Sequence, residues 1–127
     1  MRWIIGAALL VVLALPAQSG RDEAVNALDR NDYKTALQHF SLLAKQGSSA
    51  GASEIAQIYQ KTGPIQNFVK SYMWYEIAIY LLPVSLREHE TDIIGLAQAS
   101  LSSDMTTAHI HEAERLAREW LKNYGNK

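Results

Sequence analysis

The sequence predicts an all-α protein, a short α-solenoid of about three antiparallel helix pairs preceded by a signal peptide. Beyond the N-terminal apolar run, the chain lacks the apolar alternation of period two that is typical of strands. Apolar residues instead recur at intervals of three and four, as they do on one face of a helix. Three of these helical stretches also share one spacing of aromatic, aliphatic and small residues, which indicates a repeat.

The N-terminus has the features of a secretory signal peptide. Arg2 supplies a positive charge, residues 4–15 form an apolar stretch, and the small residues Ala17 and Ser19 suit a cleavage site. A run of about a dozen apolar residues is shorter than the roughly 20 that a transmembrane helix needs. We therefore expect a periplasmic or secreted protein with no stable membrane span after processing. A signal that stays uncleaved would instead make the chain a membrane-tethered regulator.

Cleavage would remove residues 1–19 and leave one domain at 20–127. A domain of this size can bury a single hydrophobic core. The full chain of 127 residues has a formal net charge of −1 and no cysteine. The charge balance provides no basic stripe for a phosphate backbone, so nucleic acid is not an expected partner. The lack of cysteine excludes disulfides, thiolate metal sites and a thiol nucleophile.

Helical stretches and stop signals divide the domain into three pairs, at roughly 21–47, 49–82 and 85–124. Short polar, glycine or proline segments separate the helices, and such segments typically end a helix. None is long enough to separate two domains. The five segments are Arg30-Asn31-Asp32, Gly47-Ser48-Ser49, Thr62-Gly63-Pro64, Leu82-Pro83 and Ser102-Ser103-Asp104.

One apolar template occurs in the second helix of each pair. The template is a set of five positions that recurs three times: the second set lies 35 residues after the first, and the third lies 42 residues after the second. Helices with matching stripes can bury them against one another in consecutive layers, as helical repeat proteins do. The sets are Tyr33, Ala36, Phe40, Leu43 and Ala44; Phe68, Ser71, Tyr75, Ala78 and Ile79; and Ile110, Ala113, Ala117, Trp120 and Leu121.

The middle helix, predicted at 67–82, is apolar nearly all round, so it must be covered on several faces. We expect it to lie between an N-terminal and a C-terminal pair. Tyr72, Trp74 and Tyr75 are then core residues, in preference to an aromatic peptide-binding box.

The C-terminal helix is amphipathic and should close the fold. Thr106 or Thr107 can cap its start. On its polar face Glu114 precedes Arg118 and Arg115 precedes Glu119 by four residues, a spacing that brings opposite charges together.

Three groups of residues carry a family resemblance. The first is Asp32-Tyr33, Ala36-Leu37, Phe40, Leu43-Ala44 and Gln46-Gly47; the second is Ala52-x-x-Ile55-Ala56-x-x-Tyr59; the third is Tyr72-Met73-Trp74-Tyr75 with Ile77-Ala78. Together they resemble the Sel-one-like repeat family, solenoids related to tetratricopeptide repeats. Residues from Met105 to Trp120 look like the C-terminal module of exported bacterial members. The resemblance implies an adaptor or scaffold in an envelope assembly, whose inner surface holds a partner.

The sequence predicts no catalytic residue, metal ligand or cofactor, and hence no enzyme. His109 and His111 are two apart on a helix and point about 200° apart, so they cannot grip one ion. Ser85, His89 and Asp92 could suggest a hydrolytic trio, but no glycine-rich turn surrounds Ser85 to form an oxyanion hole. His89 among acidic neighbours could also act as a pH-sensing contact, but a solvent-facing charge run is the preferred interpretation.

A binding face is expected on the first helix of each pair, away from the apolar stripe. Polar side chains there could hydrogen-bond an extended peptide or a glycan, although a solvated face explains them equally well. The leading hypothesis is an interaction module that binds another protein or peptide. The alternative is a cell-wall-associated binder or hydrolase of a small molecule or glycan. The candidate partner-binding residues are Asp22, Asn26, Ser53, Gln57, Gln60, Lys61 and Gln98.

Overall fold

The computed structural model describes residues 19–61 and 63–125. This part of the chain contains helices and turns and no strand, so the all-α prediction is confirmed. The predicted signal peptide lies outside the described residues except for Ser19. None of the described helices is both long enough and apolar enough to cross a bilayer.

Six α-helices follow one another in the described residues, with one short 3-10 turn between the fourth and the fifth. Their bounds lie within a few residues of the stop signals in the sequence, because those signals are caps and turn residues. The helices are α1 (19–29), α2 (Tyr33–Lys45), α3 (Ser49–Gln60), α4 (Phe68–Leu81), α5 (Arg87–Ser102) and α6 (Thr107–Gly125), and the 3-10 turn is Val84–Leu86.

The α1–α2 and α2–α3 connections use the same tight turn. Asn31 and Gly47 have positive φ angles of 57° and 96°, which turn the chain out of the preceding helix. The next residue in each turn donates its backbone N–H to a carbonyl in the last turn of that helix. Asp32 donates to Ala27 at 2.8 Å, and Ser48 donates to Leu43 at 3.0 Å. These are the bonds of a Schellman motif, and they satisfy carbonyls that a helix end leaves without partners.

The residue that completes each turn also starts the next helix. Oδ1 of Asp32 accepts the backbone N–H of Thr35 at 3.2 Å, and Oγ of Ser48 accepts that of Gly51 at 3.0 Å. Hydrogen bonding from the Thr35 side chain, and next from its backbone N–H, holds the pKa of Asp32 below its usual range. Because one residue ends one helix and caps the next, the three helices are joined with little freedom between them.

Helix α4 occupies the centre of the fold and packs against α3, α5 and α6. Trp74 and Tyr75 are buried, and the ring of Trp74 meets that of Trp120 edge to face with centroids 5.5 Å apart. The predicted central position of this helix is confirmed, and so is the core placement of Trp74 and Tyr75. Tyr72, also predicted as a core residue, is only partly buried against the core. In the third pair, α5 and α6 each pack mainly on α4.

Two of the five template positions are equally buried in α2, α4 and α6. The small residues Ala36, Ser71 and Ala113 all have 0% exposure. The residues four positions further on, Phe40, Tyr75 and Ala117, each have 3% exposure. The matching spacing in the sequence therefore corresponds to matching burial at these two positions. The last two positions of the template differ, since Ala44 is buried and its equivalents Ile79 and Leu121 are only partly buried.

Two hydroxyl groups bridge the antiparallel helices α3 and α4. Oγ of Ser71 donates to the carbonyl oxygen of Ala56 at 2.7 Å, and Oγ of Ser49 donates to that of Ala78 at 2.6 Å. A hydroxyl can reach a neighbouring backbone in this way only where two helices lie close together. Small residues at these positions permit that approach.

Helix α6 begins where the sequence predicts, and one of the two predicted pairs of opposite charges, Arg115 with Glu119, forms an ion pair, whereas Glu114 and Arg118, which the structure also describes, do not. Oγ1 of Thr106 accepts the backbone N–H of His109 at 3.1 Å and caps the helix. The guanidinium of Arg115 pairs with Glu119 at 3.1 Å and also with Glu112 at 2.8 Å, a second pair that the sequence pattern did not predict. Its hydrogen bonds hold the pKa of Glu112 below its usual range. All three side chains are largely exposed, so this network adds little to stability.

Candidate functional site

A groove runs between α3 and α5 with α4 beneath it. Within the described residues, α3 and α5 both pack on α4 rather than closely against each other. Their separation leaves a volume of about 760 Å³. The α2–α3 turn lies at one end of this space, and the α4–α5 connection with Pro83 and Leu86 also lines it. We refer to it below as the α3–α5 groove.

The α3 side of the groove is lined mainly by polar side chains. Ala50, Ser53, Glu54 and Gln57 line it, at spacings of three and four that place them on one helix face. Gln57 is exposed, and Ser53 and Glu54 are half-buried. This wall therefore presents a hydroxyl, an amide and a carboxylate to the groove.

The α5 side of the groove is mainly apolar. Leu86, Glu90, Ile93 and Ala97 line it, again at helical spacing, together with the buried Ile94. Leu86 is 48% exposed and Ile93 is 54% exposed, so much of their apolar surface is left in water. An exposed apolar surface beside polar groups is a common feature of binding sites.

Tyr75 of α4 lies at the floor of the groove. Its hydroxyl donates to Oε1 of Gln60 at 2.8 Å, which orients the ring. Burial raises the pKa of Tyr75, and the negative charge of Glu54 adds to that effect. The phenol is therefore neutral at physiological pH and acts as a hydrogen-bond donor.

The groove is acidic. Glu54 on α3 and Glu90 on α5 are the carboxylates among its lining residues, and no lysine, arginine or histidine lines it within the described part of the chain. Neither carboxylate forms an ion pair there; the ion pairs found are those of Arg115. Two negative charges therefore face one space from opposite walls without a cation.

A second, smaller groove of about 480 Å³ lies between α1 and α3. Arg21, Val25 and Leu28 line it from α1, and Phe40 with Leu43 lines it from α2. It shares three α3-side residues with the α3–α5 groove, so the two spaces adjoin along one face of the fold. The shared residues are Ser48, Ala50 and Glu54.

The structure brings together two of the seven predicted partner-binding residues, Ser53 and Gln57. Both line the α3–α5 groove. Gln60 lies one turn further along α3, where its side-chain oxygen accepts the Tyr75 hydroxyl. Lys61 is exposed at the C-terminal cap of α3 and lies outside the groove lining.

The remaining three predicted residues lie elsewhere. Asp22 and Asn26 are exposed on α1, but other α1 residues line the α1–α3 groove. Gln98 of α5 is 9% exposed, and its Nε2 donates to Oε1 of Glu76 on α4 at 2.7 Å. That bond holds α5 against α4, so the amide serves packing here.

Sequence reasoning missed the apolar wall and both carboxylates of the groove. The spacing of Leu86, Glu90, Ile93 and Ala97 was a detectable signal, because these residues form a second stripe that begins just before α5 and continues along it beside the core residues Ile94 and Leu101. Glu54 carried no such signal. Its position matters only because α5 lies across from it.

The residues that the sequence analysis considered for catalysis or metal binding lie on the surface. Ser85, His89 and Asp92 are exposed, as are His109 and His111. No group of three or more histidine, aspartate and glutamate side chains within residues 19–61 and 63–125 is arranged to hold a metal ion. The prediction of a protein without catalytic residues stays a prediction.

Comparisons with protein-family models, with curated proteins and with solved structures found no match.

Proposed function

We propose that this chain is an exported interaction module of the Sel-one-like type that binds a segment of another protein in the α3–α5 groove. The single observation that carries the proposal is the groove itself, with Ser53 and Gln57 on one wall and exposed Leu86 and Ile93 on the other. Its role is that of an adaptor or scaffold in an envelope assembly, and it does not catalyse a reaction.

The mechanism is surface complementarity on a rigid frame. The groove walls are helices, and both pack on the buried helix α4. The α2–α3 turn at its end is held by the Schellman bond of Ser48. Groups held in place before binding lose little entropy when a partner is bound, so more of the contact energy becomes affinity.

The two walls of the groove contribute to recognition in different ways. Polar groups on α3 can hydrogen-bond the backbone or polar side chains of a bound segment, which favours specificity. Apolar groups on α5 supply the surface that is removed from water. Burying an isoleucine side chain fully stabilises by roughly 1.5–3 kcal/mol. Ile93 is 54% exposed, so covering it should contribute about half of that amount.

Site-specific photocross-linking in intact cells tests the proposal. A photoreactive residue at position 57 faces the groove, and one at position 96 lies on the solvent side of α5, where Leu96 is 73% exposed. We expect a cross-linked protein from position 57 and none from position 96. Mass spectrometry identifies that protein, which is then purified and titrated against the chain.

The titration uses two matched variants on α5. Ile93→Ser removes a groove residue, and Leu96→Ser removes an exposed apolar residue outside the groove. We expect Ile93→Ser to weaken binding about four- to fifteenfold, from roughly 0.8–1.6 kcal/mol of lost burial, and Leu96→Ser to leave it unchanged. Equal effects of the two variants would contradict binding in the groove.

N-terminal sequencing of the exported protein tests its processing. Cleavage after Ser19 gives a chain that begins at Gly20, and cleavage after Ala17 gives one that begins at Gln18. A protein that still begins at Met1 would instead support a membrane-tethered form.

A further inference from the structure

We propose that the segment bound in the α3–α5 groove carries a lysine or arginine next to apolar side chains. This inference rests on the proposed function, because it concerns the partner of the same groove. It adds the chemistry of that partner, a basic and amphipathic protein segment. The charges of the groove and the apolar wall of α5 both support it.

The charge requirement comes from Glu54 and Glu90. They are half-buried, they face the groove from opposite walls, and neither has an ion-pair partner within the described residues. A segment that fills the groove removes water from both carboxylates. An ionised carboxylate that loses water without gaining a partner is strongly destabilised. A cation on the bound segment compensates for that loss, whereas an acidic segment adds repulsion.

Basic side chains near the groove do not already serve this purpose. Arg21 lines the adjoining α1–α3 groove and makes no ion pair with Glu54 in the described structure. Nε of Arg87, at the start of α5, donates to the carbonyl oxygen of Leu82 at 3.3 Å. Arg87 is not among the residues that line the groove. Glu90 therefore has no neighbouring cation among the lining residues.

The apolar wall determines the rest of the segment. Leu86 and Ile93 expose 48% and 54% of their surface, and Ile94 and Ala97 continue the wall along α5. A bound segment with a basic side chain but no apolar side chains would leave this apolar surface exposed to water. A segment with apolar side chains beside its basic residue satisfies both features at once, because Glu90 lies on the same α5 stripe as Ile93.

Selection from a display library of random peptides tests the inference even while the natural partner is unidentified. The exported full-length domain is the bait, and binders are kept only if Ile93→Ser reduces their binding. We expect these groove-dependent peptides to be enriched in lysine or arginine adjacent to apolar residues. A selected peptide is then synthesised and titrated against charge variants.

The charge variants compare the two groove carboxylates with one carboxylate outside the groove. The double variant Glu54→Gln with Glu90→Gln removes both groove carboxylates, and Glu88→Gln removes an exposed carboxylate outside the groove. We expect the double variant to weaken binding about three- to tenfold and Glu88→Gln to leave it unchanged. The difference should shrink as salt is raised, because salt screens charge pairs.

Two outcomes would overturn the inference, and they differ in what else they overturn. Groove-dependent peptides with no enrichment in basic residues, or peptides indifferent to the double variant, would refute the basic partner while binding in the groove still stands. A failure to select any peptide that depends on Ile93 would refute the groove as a peptide site and the inference with it.

Discussion

Replacing Gly51 and Gly95 by alanine tests how closely α2 and α3 pack. Both glycines lie within helices, in α3 and α5, where alanine is intrinsically favoured by roughly 0.8–1.0 kcal/mol. Around Gly95, no atom of another described helix lies within 4 Å of an added Cβ. We therefore expect Gly95→Ala to raise the free energy of unfolding by about 0.5–1 kcal/mol.

The same substitution at Gly51 meets neighbouring atoms of α2 and its turn. The added Cβ would stand 3.1 Å from Cβ of Leu43, 3.2 Å from the backbone carbonyl oxygen of Phe40 and 3.3 Å from Oγ of Ser48. The first two atoms can retreat only if the α2 backbone moves. Overpacking of this kind costs roughly 1–3 kcal/mol, which exceeds the helix gain. We expect Gly51→Ala to lower the free energy of unfolding by about 0.5–2 kcal/mol.

Urea unfolding followed by far-ultraviolet circular dichroism measures both variants against the parent. The two substitutions are chemically identical, so the expected difference of about 1–3 kcal/mol between them isolates the contact with α2. If the slope of unfolding free energy against urea concentration is the same in both variants and the parent, the difference in stability does not come from a change in the unfolded state. If Gly51→Ala stabilises the protein as much as Gly95→Ala does, the close approach of α2 and α3 is wrong.

Three further predictions concern stability. Burial raises the pKa of Tyr75, so the folded state favours the neutral phenol. The contribution of this neutral phenol to the free energy of unfolding is fully present below about pH 10 and is lost as the pH rises further. Urea unfolding at several alkaline pH values should show this decline, and Tyr75→Phe should make it shallower. Ser48→Ala removes the cap of α3 and should cost about 1 kcal/mol in thermal or urea unfolding, whereas Ser53→Ala should cost less than about 0.5 kcal/mol. Ser71→Val overfills a site with 0% exposure and should cost about 1–3 kcal/mol in the same assay. Ser71→Ala should cost less than about 1 kcal/mol, and an equal loss from both would contradict the tight packing.

The helices and their turns could be predicted because their signals are local. An apolar period of three to four residues defines a helix face, and Asp32, Ser48 and Thr106 are caps whose side chains bond to the backbone three residues away. The burial of α4 on several faces also followed from its own composition. These features depend on residues within one or two turns of one another, so the chain order is enough to reveal them.

The groove depended on the tertiary structure. Ser53, Gln57, Gln60 and Gln98 look alike in the sequence, yet the amides of Gln60 and Gln98 are engaged by residues of α4, and Ser53 and Gln57 line the groove. The position of Glu54 opposite Glu90 across the groove depends on how far apart α4 holds α3 and α5. Helix packing determines that distance through contacts between residues far apart in the chain, and no local pattern encodes it.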